Sequence, residues 1–435
     1  MTESFIDNYK WFISTIANTT EESSRAMLQF LISHALSNAE YRNSKGPISA
    51  NLSFIWVSPS GSNKTPLIDN GIRKLRDTFP EFRLYGELTG KGFRQSLAKI
   101  KDPIVKALIL WDEFGVGIKT SKNSGTSDLF EVFSMAFDGQ LIPYDSVRSG
   151  AEKYPPIYAN FWLSGVPDIL MHTDKSFWYQ GFGLRSLFLK YEFPERNEPI
   201  FDDEENIAQA EINFESMRVD LGKMKHIQKI RTMDEFMIKY NEYRDKILKE
   251  IQAVQKDIIS SQDPANFSII SRAKFPVLVM KLSMIYAASR YNFAEEILTL
   301  EPEDLQTAIA DLESYHKNMV EMFDVWQELV ETKSRIDNIK NVKDKIKRHI
   351  NTIIANGKSF ILTEREDDGV KEYLASMSAE GKWVPHSALL RNSNLTSRKF
   401  AEIIETLTDQ IMIAKRDGII EKNGVKHVIT FYSLT

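Results

Sequence analysis

Between residues 50 and 195, short apolar runs alternate with stretches of helical spacing. The runs are "NLSFIWV" (51–57), "RLYGEL" (83–88), "VKALILW" (105–111), "PIYANFWLSG" (156–165) and "RSLFLKYEF" (185–193). Their apolar character is continuous rather than alternating, as strands covered on both faces require. Strands separated by helices predict an α/β core with a parallel sheet. Ahead of it, residues 1–45 read as helical from the spacing in "SRAMLQFLISHALSNAEYR", and "NSKGP" (43–47) then breaks the chain. Residues 203–332 are helical with almost no strand signal, from "DDEENIAQAEINFESM" through "AKFPVLVMKLSMIYAASRYN" to "EPEDLQTAIADLESYHKNMVEMFDVW". Near the end, "DGVKEYLASMSAEG", "HSALLRN" and "TSRKFAEIIETLTDQ" predict helices. "IMIAK" and "HVITFYSL" then predict strands around "RDG" and "KNG" turns, Asn-Gly being a strong hairpin signal. Three helices followed by a hairpin is the order of a winged helix. The expected divisions are an N-terminal helical segment (1–48), the sheet-bearing core (49–195), an all-helical domain (196–335) and an α+β winged-helix domain with a basic linker (336–435).

Composition bounds the chemistry. At 435 residues, 42% hydrophobic and 26% charged, the chain is too long for one core and long enough for roughly two to four domains. A net charge of −5 leaves any nucleic-acid binding to local patches. The absence of cysteine excludes disulfides and thiolate zinc sites. The seven histidines (34, 172, 226, 316, 349, 386, 427) show no ligand spacing, so no histidine-held metal is expected. No apolar run approaches the roughly 18 residues that would span a bilayer. "MTESFIDNYKW" has no basic stretch leading into an apolar one, so no secretion signal is expected. The expectation is a cytoplasmic, intracellular protein without a membrane partner.

The candidate chemistry begins at "FIWVSPSGSNKTP" (54–66). A strand ends, a turn of small residues follows, and Lys64-Thr65 opens a helix, in the order of the phosphate-binding pattern G-x-x-x-x-G-K-[ST]. Ser58 and Asn63 occupy the two glycine positions of that pattern. Asparagine is among the residues that tolerate positive φ best after glycine, so Asn63 can take the bend. Backbone amides of Ser60, Gly61, Ser62, Asn63, Lys64 and Thr65 would cradle phosphate oxygens at a helix N-terminus. Lys64 would reach the β and γ phosphates of ATP, and the Thr65 hydroxyl would ligate Mg²⁺. Pro66 falls in the first helical turn, where its missing N–H costs nothing. The alternative is a turn that merely shares this composition. "KALILWDEFG" (106–115) weighs against that alternative, because an apolar strand there ends in Asp112-Glu113. Asp112 would hold the Mg²⁺ water shell, and Glu113 would act as general base on the attacking water.

The remaining motifs stand in a fixed order: "PSGSNKTP" (59–66), "WDEFG" (111–115), a helix near 126–138, a hairpin-like segment (140–159), "LSGVPD" (163–168) and "GFGLRSL" (181–187). As an ordered set they resemble the AAA+ superfamily, in its branch with a β-hairpin inserted before the sensor-1 strand. Within it, the chain resembles the superfamily 3-like helicase ATPases that accompany primases in phages, plasmids and archaeal viruses. The likeness covers residues 50–290, including "FPVLVMKLSMIYA". It implies an AAA+ P-loop core with a helical lid. It also implies a sensor 1 at Ser164, with Asn160 a second candidate, and an arginine finger at Arg185 that acts on a neighbour's γ-phosphate. Arg272 in "SRAKFP" is a candidate second sensor. A finger acting in trans implies a homo-hexameric ring, with a separate primase or polymerase as partner.

DNA contact is expected at two places. The tip "SVRSGAEK" carries Arg148 and Lys153, which the resemblance would place in the pore on single-stranded DNA; a solvated turn is the alternative. Lys119 and Lys122 offer further charge nearby. In the winged helix, Arg398 and Lys399 open the recognition helix, where such helices meet duplex DNA. Lys415, Arg416, Lys422 and Lys426 would sit on the wing, suited to phosphates. Many winged helices bind protein instead, and Glu402 and Glu405 dilute this face. The whole predicts a DNA helicase or translocase of a mobile element. The alternative is a replication initiator or loader that binds DNA as an ATP-controlled switch without unwinding.

Overall fold

A computed structural model describes residues 4–43, 46–59, 62–72, 78, 82–84, 105–112, 114, 129–139, 143–146, 150–153, 157–179, 181–190, 204–255, 263–290, 296–367, 370–393, 400–401, 404–405, 407–408, 413–422 and 424–435. They fall into two compact units, 1–326 and 327–435.

The first unit opens with α1 (Phe5–Ala17) and α2 (Glu21–Ala35), N-capped by the side chains of Ser4 and Thr20. Then come β1 (Glu40–Asn43), β2 (Gly46–Ser49), β3 (Ser53–Val57) and α3 (Lys64–Gly71). Next are β4 (Phe82–Leu84), β5 (Val105–Trp111), α4 (Leu129–Phe137), β6 (Pro143–Ser146) and β7 (Gly150–Lys153). The sheet elements of this half end with β8 (Ile157–Gly165), α5 (Lys175–Tyr179) and β9 (Leu187–Lys190). β4, β5, β8, β3 and β9 form one five-stranded sheet in that order, with every neighbouring pair parallel. The expected α/β core with a parallel sheet is therefore present.

Both faces of this sheet are covered. On one face Phe54 and Trp162 meet Phe30 of α2, with ring centroids 6.4 and 5.5 Å away. On the other, Phe161 and Trp111 meet Phe133 of α4 at 4.8 and 6.2 Å. Trp56, Trp111 and Trp162 are fully buried. Truncating one such side chain to alanine costs about 3–5 kcal/mol. The N-terminal helices thus supply part of the core's own cover.

Four long helices follow: α6 (Glu204–Met224), α7 (Asp234–Val254), α8 (Phe275–Ser289) and α9 (Pro302–Ala355). The expectation of an all-helical domain here needs correcting. β10 (Lys229–Thr232) and β11 (Ile297–Leu300) lie in this stretch and join β1 and β2 in a four-stranded sheet of order β11-β10-β1-β2. The expected boundary at 335–336 falls inside α9.

In the second unit, the helix expected over "DGVKEYLASMSAEG" is instead a strand. β12 (Phe360–Asp367) and β13 (Val370–Met377) pair antiparallel along their whole length. After β14 (Val384–Pro385) comes α10 (His386–Ser393), matching the helix expected at "HSALLRN". β15 (Ile413–Lys422) and β16 (Val425–Leu434) pair as the expected hairpin. The "RDG" turn is a second correction, because Arg416, Asp417 and Gly418 all lie within β15. A Cβ on Gly418 would stand 2.9 Å from Leu362, so that glycine serves close packing rather than a bend. The core of this unit joins Ile346, Ile350 and Ile353 of α9 to Leu389, Phe400, Ile404, Leu407 and Tyr432.

Candidate functional site at the carboxyl end of the parallel sheet

Parallel strands bring their carboxyl ends to one edge, and three candidate residues meet there. β3 ends at Val57, in register with Gly165 of β8. The ladder continues one step, with Ser58 N–H donating to the Gly165 carbonyl at 3.0 Å. The Ser58 and Ser62 hydroxyls then share a 2.6 Å hydrogen bond, closing the neck of the turn. Ser58, standing at the first glycine position, is thus a buried structural link. Asn63 takes the left-handed conformation expected of it, with φ 55° and ψ 25°, and α3 begins at the next residue.

Lys64 points back across that neck. Its Nζ donates to the carbonyl oxygens of Ser58 at 2.9 Å and of Gly165 at 3.2 Å. Thr65 is exposed in the first turn of α3. Ser60 and Gly61 lie outside the described residues, as do Glu113, Lys119 and Lys122.

On the neighbouring strands, Trp111 pairs with Leu163, which sets Asp112 beside Ser164. Ser164 is fully buried, and its hydroxyl donates to Asp112 Oδ1 at 2.7 Å. Lys64, Asp112 and Ser164 therefore gather at the carboxyl end of β3, β5 and β8. β3 continues in sequence to the far side of the sheet, while β9 returns on its other flank. Open parallel sheets present ligand crevices at such a reversal of strand order. An ammonium and a carboxylate held by a hydroxyl, beside a helix N-terminus, can bind an anion together with a hydrated cation. Among the described residues no group of three or more His, Asp or Glu side chains could by itself hold a metal ion.

Asn160, the other sensor candidate, serves the fold. Its Oδ1 accepts from Leu52 N–H at 2.7 Å and from the Ser33 hydroxyl at 2.5 Å, four residues back from Ser164 along β8. Arg272 is likewise engaged, with Glu250 at 3.3 Å and Glu313 at 2.8 Å.

Arg185 lies at the other end of the sheet. It precedes β9, whose Leu187 pairs with Phe54 near the start of β3. Its guanidinium donates to Asp138 Oδ2 at 2.6 Å and 3.1 Å and to the Gly181 carbonyl at 3.0 Å. The glycines of "GFGLRSL" allow this turn: a Cβ on Gly181 or Gly183 would meet the backbone oxygens of Ser176 or Phe177 at 2.7 and 2.6 Å. Nearby, Lys281 of α8 is buried and donates to the Asn51 carbonyl at 3.0 Å and to its side-chain oxygen at 2.6 Å. Its ammonium also stands 4.0 Å over the Phe137 ring, and burial pushes it down to about 7.

Of the DNA candidates, Lys415, Arg416, Lys422 and Lys426 share the β15–β16 hairpin. Arg148, Arg398 and Lys399 lie outside the described residues. Lys153 was expected at the hairpin tip, but it pairs with Pro143 at the open end of the β6–β7 ladder, away from the turn. Lys422 pairs with Val425 beside the β15–β16 turn and is exposed. Lys415 and Arg416 are nearer the base of that hairpin, and Arg416 stacks on Tyr373 and Trp383 at 4.8 and 5.5 Å. Lys426 stands 3.7 Å from Glu372. Sequence reasoning missed Asn18, Asp138 and Lys281, whose partners lie far away in the chain. Among the described residues, no helix is long and apolar enough to cross a membrane. No protein-family model and no curated protein matches the chain.

Proposed function

We propose that this chain is an ATP-driven DNA translocase or helicase built on an AAA+ P-loop core, working as a homo-hexamer in the replication of a mobile element. The observation that carries the reading is the meeting of Lys64, Asp112 and Ser164 at the carboxyl end of the parallel sheet, behind a left-handed Asn63. In this reading Lys64 leaves the Ser58 and Gly165 carbonyls for the phosphates of ATP. Ser164 orients Asp112 and responds to the γ-phosphate. Mg²⁺ would neutralise phosphate charge, and Thr65 and Asp112 are the residues that would hold it. Glu113 would be the general base.

Arg185 sits across the sheet from Lys64, too far to serve the site of its own chain. That placement supports action on a neighbouring subunit. For the second unit, support for a winged helix comes from β14 and β15 both pairing with β16, over a core shared with α10. In this reading single-stranded DNA runs through the pore and duplex DNA meets the winged helix, with a separate primase or polymerase as further partner. One observation favours the second reading, an initiator or loader that switches without unwinding: Asp138 holds Arg185 on its own chain.

The test is Mg²⁺-dependent ATP hydrolysis and strand displacement by the purified chain and by Lys64→Ala. The translocase reading expects both activities in the wild type and at least about a hundredfold loss of turnover in the variant. Turnover retained in Lys64→Ala would sink the site. Hydrolysis without displacement would favour the switch.

A further inference from the structure

Two non-glycine residues among those described have a left-handed backbone, Asn18 at φ 47° and Asn63 at φ 55°. They are bonded to each other: Asn63 Nδ2 donates to the Asn18 carbonyl at 2.7 Å, across 45 positions of sequence. Asn18 ends α1, with its N–H on the carbonyls of Ser14 and Thr15, so its own carbonyl is held in a fixed direction. α1 packs directly on α3, the helix that Lys64 opens. The turn between α1 and α2 therefore braces the turn between β3 and α3.

This contact gives a physical reason for the asparagine. Position 63 needs a residue that accepts positive φ, and glycine does so at least strain. Glycine, however, has no side chain with which to reach Asn18. Asparagine accepts the same backbone and adds a donor. We propose that Asn63 is a positioning residue that ties the phosphate loop to the N-terminal helices, so that the α1–α2 turn sets the loop's shape and hence the affinity for nucleotide. The proposal rests on the reading of this loop as a nucleotide site. Its energetic content is preorganisation: the loop is ordered during folding, and less order has to be gained on binding.

The test compares three variants of the full chain. Asn63→Gly keeps the left-handed backbone and removes the tether. It should raise KM for MgATP about three- to tenfold, the worth of one net hydrogen bond, and lower kcat by less. Asn63→Ala removes the tether and adds backbone strain, so its KM should rise further. Asn18→Gly keeps both the carbonyl and the left-handed turn, and should shift KM by less than about twofold. A second readout needs no nucleotide: amide hydrogen exchange over residues 14–20 and 57–65 should quicken about three- to tenfold in Asn63→Gly. Unchanged exchange in that variant, or nucleotide binding as tight as in the wild type, overturns the tether. If the wild type binds no ATP, the nucleotide reading fails, while the exchange measurement still decides the tether.

Discussion

The two ends of the parallel sheet treat polar side chains in opposite ways. At the amino end, buried polar groups satisfy one another over long sequence separations. Asn160 accepts hydrogen bonds from the Leu52 N–H and the Ser33 hydroxyl, Asn51 donates to the Phe137 and Ala159 carbonyls at 2.8 and 3.0 Å, and Lys281 donates to Asn51. At the carboxyl end the hydrogen bonds also span long separations, but they gather around one turn and engage charged groups, Lys64 on the Gly165 carbonyl and Ser164 on Asp112. Ser58 meets Ser62, Lys64 rests on nearby carbonyls, and Thr65 stands exposed. A buried donor or acceptor left without a partner costs about 1–3 kcal/mol, so the amino end is a set of links that the fold cannot give up. On the proposed reading, the groups at the carboxyl end change partners when a nucleotide arrives. One end is built into the core, and the other is braced by the Asn63–Asn18 bond yet holds the candidate site.

Arg185 is the residue best suited to break this contrast, since it lies at the amino end yet is assigned to turnover. Arg185→Ala should lower kcat about a thousandfold in an assembled ring, the scale of a trans-acting arginine. Turnover little changed, measured by steady-state hydrolysis, would return Arg185 to a purely structural role with Asp138.

Asn160→Ala sharpens the contrast from the other side. It orphans the Leu52 N–H, leaves the Ser33 hydroxyl with the Phe30 carbonyl as acceptor, and should lower unfolding stability by about 1–3 kcal/mol in denaturant titration. KM for ATP in the folded fraction should stay near the wild-type value. A larger effect on KM than on stability would move Asn160 into the site.

Lys281 predicts a pH slope. Burial holds its folded-state value at about 7, below the ordinary 10.5. The unfolded chain therefore binds more protons between those values, and stability rises as pH climbs through that window. Below pH 7 both states are protonated and the full penalty remains. Lys281→Met should flatten the rise when unfolding midpoints are compared from pH 7 to 10. An unchanged slope would mean the lysine is as easily charged as in water.

Much of this arrangement is legible in the sequence where burial is complete. β5 and β8 are covered on both faces, so their apolar runs mark them almost to the residue. The left-handed Asn63 is also legible, because Lys-Thr after a strand and small residues fixes which position must bend. β13 is not. Residues 372–375 are half-buried on both sides and 371, 376 and 377 are exposed, so "VKEYLASM" shows no alternation, and its Leu, Ala, Glu and Lys favour helix until pairing with β12 overrides them. The hairpin signal there is Asp368-Gly369, between the two strands. β10 and β11 are four residues each and acquire meaning only beside β1, which lies far away in sequence. Asp138 and Asn18 are illegible for the same reason, since nothing near either residue announces its partner.

The most direct test of the central claim is the steady-state rate of ATP hydrolysis while single-stranded DNA is titrated into the wild-type chain. The account predicts a rate that climbs with DNA and saturates, as expected if the carboxyl end of the sheet is a competent nucleotide site coupled to a nucleic-acid track. A rate that stays flat across the titration, with ATP nonetheless bound, would contradict it and leave the switch as the surviving reading.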